Sequence, residues 1–220
     1  MPETRVPRRF DIARINVSGV AVLTLLAGLV AAATLDPPSK NRVPKISDED
    51  RRLTAYHESG HALLAAHLPA GGDILQVSIV SRWGVLGSMT RAPADSDLGD
   101  DVRRDRKEAE LIIALGGLIA EGIARGDSAM TEAMTSDIKA AEKAAFDLLG
   151  GPEAGLTVAD ADAGVHRLMS DAEGRAREIL NNHETELHRL AAALMEHGTL
   201  EAVDVADILE GRKVSRVVSN

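Results

Sequence analysis

Thr54-Ala55-Tyr56-His57-Glu58-Ser59-Gly60-His61-Ala62-Leu63 carries the pattern H-E-x-x-H and governs what is expected of the rest of the chain. Upstream, Ser47-Asp48-Glu49-Asp50 has a cap residue, an acid three positions on and negative charge at the positive end of a helix dipole. A helix is therefore expected from there through Ala66 or His67, stopping before Pro69-Ala70-Gly71-Gly72. Residues four apart on a helix share a face, so the imidazoles of His57 and His61 can converge on one ion. Glu58 lies next to the first of them. A zinc ion with three protein ligands keeps one position for water and lowers its pKa to roughly 7, where a neighbouring carboxylate can take the proton. The pattern fixes only three residues and also occurs in helices that bind nothing; by itself it supplies no third ligand.

Outward from this helix the elements are short and mostly helical. Ile74-Leu75-Gln76-Val77-Ser78-Ile79-Val80 is β-rich, Ser81 to Gly84 a turn, and Val85 to Met89 a second strand. A helix is expected over Val102 to Ile123 with Gly116-Gly117 inside it, a costly pair that implies a close-packed neighbour. A loop from Gly126 to Thr135 leads to a helix over Ser136 to Leu149, closed by Gly150-Gly151-Pro152. A long amphipathic helix over Ala163 to Glu196, a turn at Gly198 and a short helix from Ala202 to Leu209 complete the chain. The fold class expected is mainly α with a small β-hairpin.

Composition agrees with that class. Apolar residues are 45% of the 220, but aromatics only 2%, which disfavours an all-β fold. A formal charge of −9 and the lack of any Lys/Arg stripe exclude a nucleic-acid surface. With no cysteine, thiolate chemistry and Cys-held metal are excluded, so a transition metal would need imidazole and carboxylate.

Residues 1–14 are basic, and Val17 to Leu35 is an uncharged run close to the ~20 residues that cross a bilayer. Arg5, Arg8, Arg9 and Arg14 precede it; Lys40, Arg42, Lys45, Arg51 and Arg52 follow, so the charge bias assigns no side. The 15–35 segment is expected to be a single-pass membrane anchor, the alternative being a signal cleaved near Ala31-Ala32-Ala33, which would leave a secreted or periplasmic protein. Residues 36–46, with Pro37-Pro38, form a linker.

The decapeptide around His57 closely resembles the zinc helix in the peptidase domain of the FtsH-type ATP-dependent zinc metalloproteases, and the resemblance continues in order. Val77-Ser78-Ile79 with Arg82 and Leu86-Gly87 resembles that family's strand and hairpin; Leu115-Gly116-Gly117 with Ala120-Glu121 resembles its Gly-Gly helix. Ser136-Asp137-Ile138 with Ala140-Ala141 resembles the helix of the third ligand, and segments from Arg175 to Leu200 resemble its last helices. The match spans about Asp48 to Leu209, within a domain placed at 47–212 and followed by a tail at 213–220.

The resemblance implies a helical zincin-like metallopeptidase domain, Zn²⁺ held by His57, His61 and Asp137, Glu58 as base, and a protein or peptide substrate added to the Ile74–Val80 strand. A homo-oligomer or an ATPase partner is implied as well. Asp137, read as opening its helix, is favoured there as a carboxylate. Glu121 is the rival ligand, expected instead to orient a histidine or to serve as a structural ion-pair partner. The sequence departs from the family at Leu118 (usually Arg), Gly122 (usually acidic) and Ala133-Met134 (usually Gly-Ala). No G-x-x-x-x-G-K-[ST] loop occurs, so peptidase action independent of ATP is expected of the chain by itself. The rival functions are a catalytically silent zinc-binding regulator of a complete protease, and a helical interaction module. His67, His166, His183, His188 and His197 are expected at the surface, Trp83-Gly84 in a buried turn, and Asp95 to Asp101 in a solvated loop.

Overall fold

Ser47 starts the first helix as its sequence requires: its hydroxyl oxygen accepts from the Asp50 amide at 3.0 Å. In this computed structural model, which describes residues 47–81, 87–93, 99–125 and 132–214 (the side chains of 132–134 excepted), α1 then runs over Asp48–His67. It ends where the Leu68 amide donates to the Leu64 carbonyl, one residue before Pro69. Every residue from His57 to Ala65 is buried. The helix is therefore the axis of the domain rather than a surface element with one wet face.

The chain continues as β1 (Ile74–Ser78), β2 (Ser88–Arg91), α2 (Asp100–Ala114), α3 (Gly116–Arg125), α4 (Glu132–Leu148), α5 (Val158–Asn182), α6 (Glu184–His197), β3 (Thr199–Glu201) and α7 (Ala202–Leu209). α1 packs mainly against α3 and α6, while α2 packs on α4. Fully buried Leu63, Leu64, Ile112, Leu115, Leu180, Leu187, Leu190, Leu194 and Leu200 fill the space between them. The mainly helical expectation is met.

Five expectations need correction. The hairpin is part of a three-stranded antiparallel sheet ordered β2-β1-β3. β1 pairs on both sides, Val77 facing Met89 and Leu200, so this strand has no free edge for a peptide. β3 is only three residues long, too short to show an alternation. The helix expected over Val102 to Ile123 divides at Leu115, because the two glycines let α3 settle onto α1: a Cβ on Gly116 would lie 2.8 Å from the Gly60 carbonyl oxygen. The long C-terminal helix divides at His183 (φ −117°, ψ 27°), after two weak helix formers, Asn181 and Asn182. α4 begins at Glu132 rather than Ser136, since Glu132, Ala133 and Met134 are good helix formers.

Among the described residues no helix is long and apolar enough to cross a membrane. The expected basic segment, anchor and linker (1–46), Arg82, Trp83 to Leu86, most of the acidic loop (94–98), 126–131 and 215–220 lie outside the described residues.

Candidate functional site

α1 places His57 and His61 one turn apart, and their Nε2 atoms lie 3.1 Å from each other. Asp137, from the second turn of α4, reaches both: its Oδ2 is 3.0 Å from His57 Nε2 and 3.2 Å from His61 Nε2. The three donor atoms make a nearly equilateral triangle. Its edges approach the ~3.3 Å that tetrahedral ligands keep from one another around a centre ~2.0 Å away. Because α4 starts earlier than expected, Asp137 is not at the dipole end of its helix.

Each histidine is oriented from behind. His57 Nδ1 donates to Glu121 Oε1 at 2.8 Å, and His61 Nδ1 donates to the Ile113 carbonyl at 2.7 Å. A carbonyl can only accept, so Nδ1 of His61 carries a proton toward Ile113 while its Nε2 faces Asp137. Glu121 is itself buried at the centre of α3, with Arg125 3.7 Å from its other oxygen. Two imidazole Nε2 atoms and a carboxylate oxygen thus meet in a buried corner, a donor set that fits a divalent transition ion once the rings give up their shared proton.

The charges tell the same story in the metal-free protein. Burial disfavours the charged form of His57, but its hydrogen bonds to Asp137 and Glu121 outweigh this and raise it to about 10. Burial likewise pushes Asp137 up, and is overcome by the hydrogen bonds to His57 and His61, which bring it down to about 2. A shared proton supplies the positive charge that this cluster demands. Burial raises Glu58, beside the cluster, above the ordinary carboxylate range, against the pull of His61 and His57.

Glu58 is 5% exposed. It lies against Gly87, whose φ is +79° and where a Cβ would strike the carboxylate. These groups line a groove of about 560 Å³ whose walls are Ser88, Met89 and Arg91 of β2 and Ser136, Ala140 and Lys143 of α4.

A family model described as "Peptidase family M41" matches residues 44–149. The chain is 30% identical over 201 residues to the ATP-dependent zinc metalloprotease FtsH of Rickettsia prowazekii (strain Madrid E), covering 80% of this chain and 31% of that protein. It is 32% identical over 186 residues to FtsH of Neorickettsia risticii (strain Illinois), covering 75% and 29%. With the ATP-dependent zinc metalloprotease FTSH 11, chloroplastic/mitochondrial, of Arabidopsis thaliana it shares 31% over 186 residues, covering 76% and 23%. The chain carries an FtsH-type M41 peptidase domain. It spans less than a third of the length of these curated relatives.

Within the M41 domain the structure brings together His57, Glu58, His61 and Asp137, and sets Glu121 behind His57. Two contributors escaped the sequence: the Ile113 carbonyl, which has no side chain to announce it, and Gly87, signalled only as half of a Leu-Gly pair. His67 and His183 are not simply solvated, since both bond Glu186.

Glu121→Gln in the M41 domain is expected to weaken zinc binding about 10-fold, because an amide oxygen can still accept from His57 Nδ1 but no longer enriches the ring. Competition with a chromogenic chelator checks this. The same change should lower the His57 pKa in the metal-free protein, since one of its raising contacts loses its charge. The elevated folded value stabilises fully below about 6.5 and is lost as pH rises through about 10. Apo Glu121→Gln should accordingly lose less stability than the parent between those limits.

Proposed function

We propose that this chain is a zinc-dependent endopeptidase, with His57, His61 and Asp137 holding the metal and Glu58 serving as general base. The observation that carries this is the triangle of Nε2, Nε2 and Oδ2 at 3.0–3.2 Å, with Glu58 beside it and a groove in front. A bound zinc ion would supply Lewis acidity toward water and toward the scissile carbonyl oxygen. Glu58, desolvated and with a raised proton affinity, takes a proton from the attacking water as the new C–O bond forms. It returns that proton to the amide nitrogen as the C–N bond breaks, so the base is regenerated. Glu121 and the Ile113 carbonyl hold the two rings still during this exchange.

β2 supports a preference for unfolded or flexible segments. It is an edge strand of the sheet, and Ser88, Met89 and Arg91 line the groove. An extended substrate can join it through main-chain bonds, which tolerate many side chains. The relatives are named ATP-dependent, whereas this sequence holds no phosphate loop; that supports hydrolysis without ATP by the chain alone. The uncharged run 17–35 supports a single-pass anchor.

Purified full chain should cleave unfolded casein without ATP, lose activity on chelation and regain it with zinc. Asp137→Ala should lose both the metal of this site and hydrolysis. Zinc bound through Asp137 without cleavage of any unfolded chain would instead mark a silent regulator.

A further inference from the structure

A second imidazole–carboxylate cluster joins α1 to the α5–α6 joint, and it shares no residue with the first. His67, the last residue of α1, places Nε2 2.7 Å from Glu186 Oε2. His183, at the break between α5 and α6, places Nδ1 2.9 Å from Glu186 Oε1. The two rings stack at 3.6 Å between centroids and 26° between planes. Their ligand-capable atoms and a Glu186 oxygen all lie within 4.8 Å of one another.

The backbone makes this meeting possible. The break at His183 makes it the residue before the first turn of α6, and a residue there faces the one three positions on, Glu186. The same break aims the His183 ring at the end of α1, where His67 is the final helical side chain before Leu68 and Pro69.

We infer that His67, His183 and Glu186 form a second metal site, for a borderline divalent ion such as zinc, that clamps the end of the active-site helix to the α5–α6 joint. Two imidazoles and one carboxylate suit zinc, nickel or copper and disfavour calcium and magnesium, which want oxygen ligands throughout. The side chains of His67, His183 and Glu186 are 28%, 32% and 20% exposed, so an ion can reach them and keep a water. Bringing donors now within 4.8 Å to the ~3.3 Å of a tetrahedral shell needs side-chain rotation, not a new backbone. The clamp would act on α1 two turns beyond His61. It stands whether or not the first site catalyses anything.

The test counts zinc on the full chain, stripped with chelator and then equilibrated by dialysis. The parent should bind two equivalents and His67→Gln one, with the apparent Kd of the second weakened at least about 100-fold. His183→Asn is the companion variant, because Asn is a favoured residue at a helix start and preserves the break. Asp137→Ala should also keep one equivalent, and the Asp137→Ala, His67→Gln double variant none. At about 100 Kd the second equivalent should raise the parent's melting midpoint by roughly 5–10 °C, and not that of His67→Gln. Zinc content that neither His67→Gln nor His183→Asn lowers, whether the parent binds one equivalent or two, overturns the site. Circular dichroism confirms that each variant counted is folded.

Discussion

Glu58→Gln is expected to lower peptide hydrolysis by about 10²–10⁴-fold while zinc content and fold are retained. Glutamine has nearly the same shape, so it occupies the same space against Gly87. It has no lone pair basic enough to take a proton from water. The metal-free variant carries a second signature. The folded pKa of Glu58 is raised by burial, so the folded state binds more protons than the unfolded state once pH exceeds the ordinary carboxylate value, about 4.5. Stability of the parent therefore falls as pH rises through the interval between the two values, and glutamine removes that penalty. The variant should melt higher than the parent at neutral pH while being nearly inactive, the compromise expected where a buried charge is kept for chemistry. Calorimetry of the apo proteins, beside a casein assay of the zinc forms, reads both. Loss of activity together with a lower midpoint would point to damaged packing instead of a missing base.

What the sequence could reveal depended on whether a contact is local. His57, Glu58 and His61 are fixed relative to one another by helical periodicity alone, so their geometry is written in five residues. Asp137 lies 76 residues beyond His61, and only the extended resemblance placed it there. Even so, the supposed reason for its charge, the start of a helix, was mistaken: α4 begins at Glu132 and the histidines hold Asp137 ionised. Glu121 could be read either as ligand or as support, and its 2.8 Å bond to Nδ1 of His57, on the far side of the ring from the triangle, favours support. The Gly-Gly pair announced a close approach without saying to what. Breaks at Leu115 and His183 were hidden because flanking apolar periodicity continues across both, and β3 because three residues carry no period. The His67–His183–Glu186 cluster joins positions 119 residues apart, and nothing local marks it.

Gly117→Ala is expected to weaken zinc binding and hydrolysis by about 100-fold each while costing little stability. A Cβ at Gly117 would stand 2.7 Å from His57 Nε2 and nearer still to Nδ1 and Cε1, so the ring must move. It has nowhere to go without loss. Its Nδ1 is bonded to Glu121, its Nε2 belongs to the triangle with His61 and Asp137, and α1 itself is held by Gly60 against the Gly116 backbone. Overpacking of this kind costs about 1–3 kcal/mol, but replacing a helical glycine with alanine returns up to about 1 kcal/mol, leaving a small net change. Gly122→Ala is the matched control on α3. That position is exposed and a Cβ there meets nothing within 4 Å, so the variant should gain up to about 1 kcal/mol and bind zinc like the parent. Isothermal titration of the metal-free variants separates the two effects. If Gly117→Ala bound zinc as tightly as Gly122→Ala, the His57 ring would not be the wall that α3 packs against, and the placement of the metal triangle would have to be redrawn.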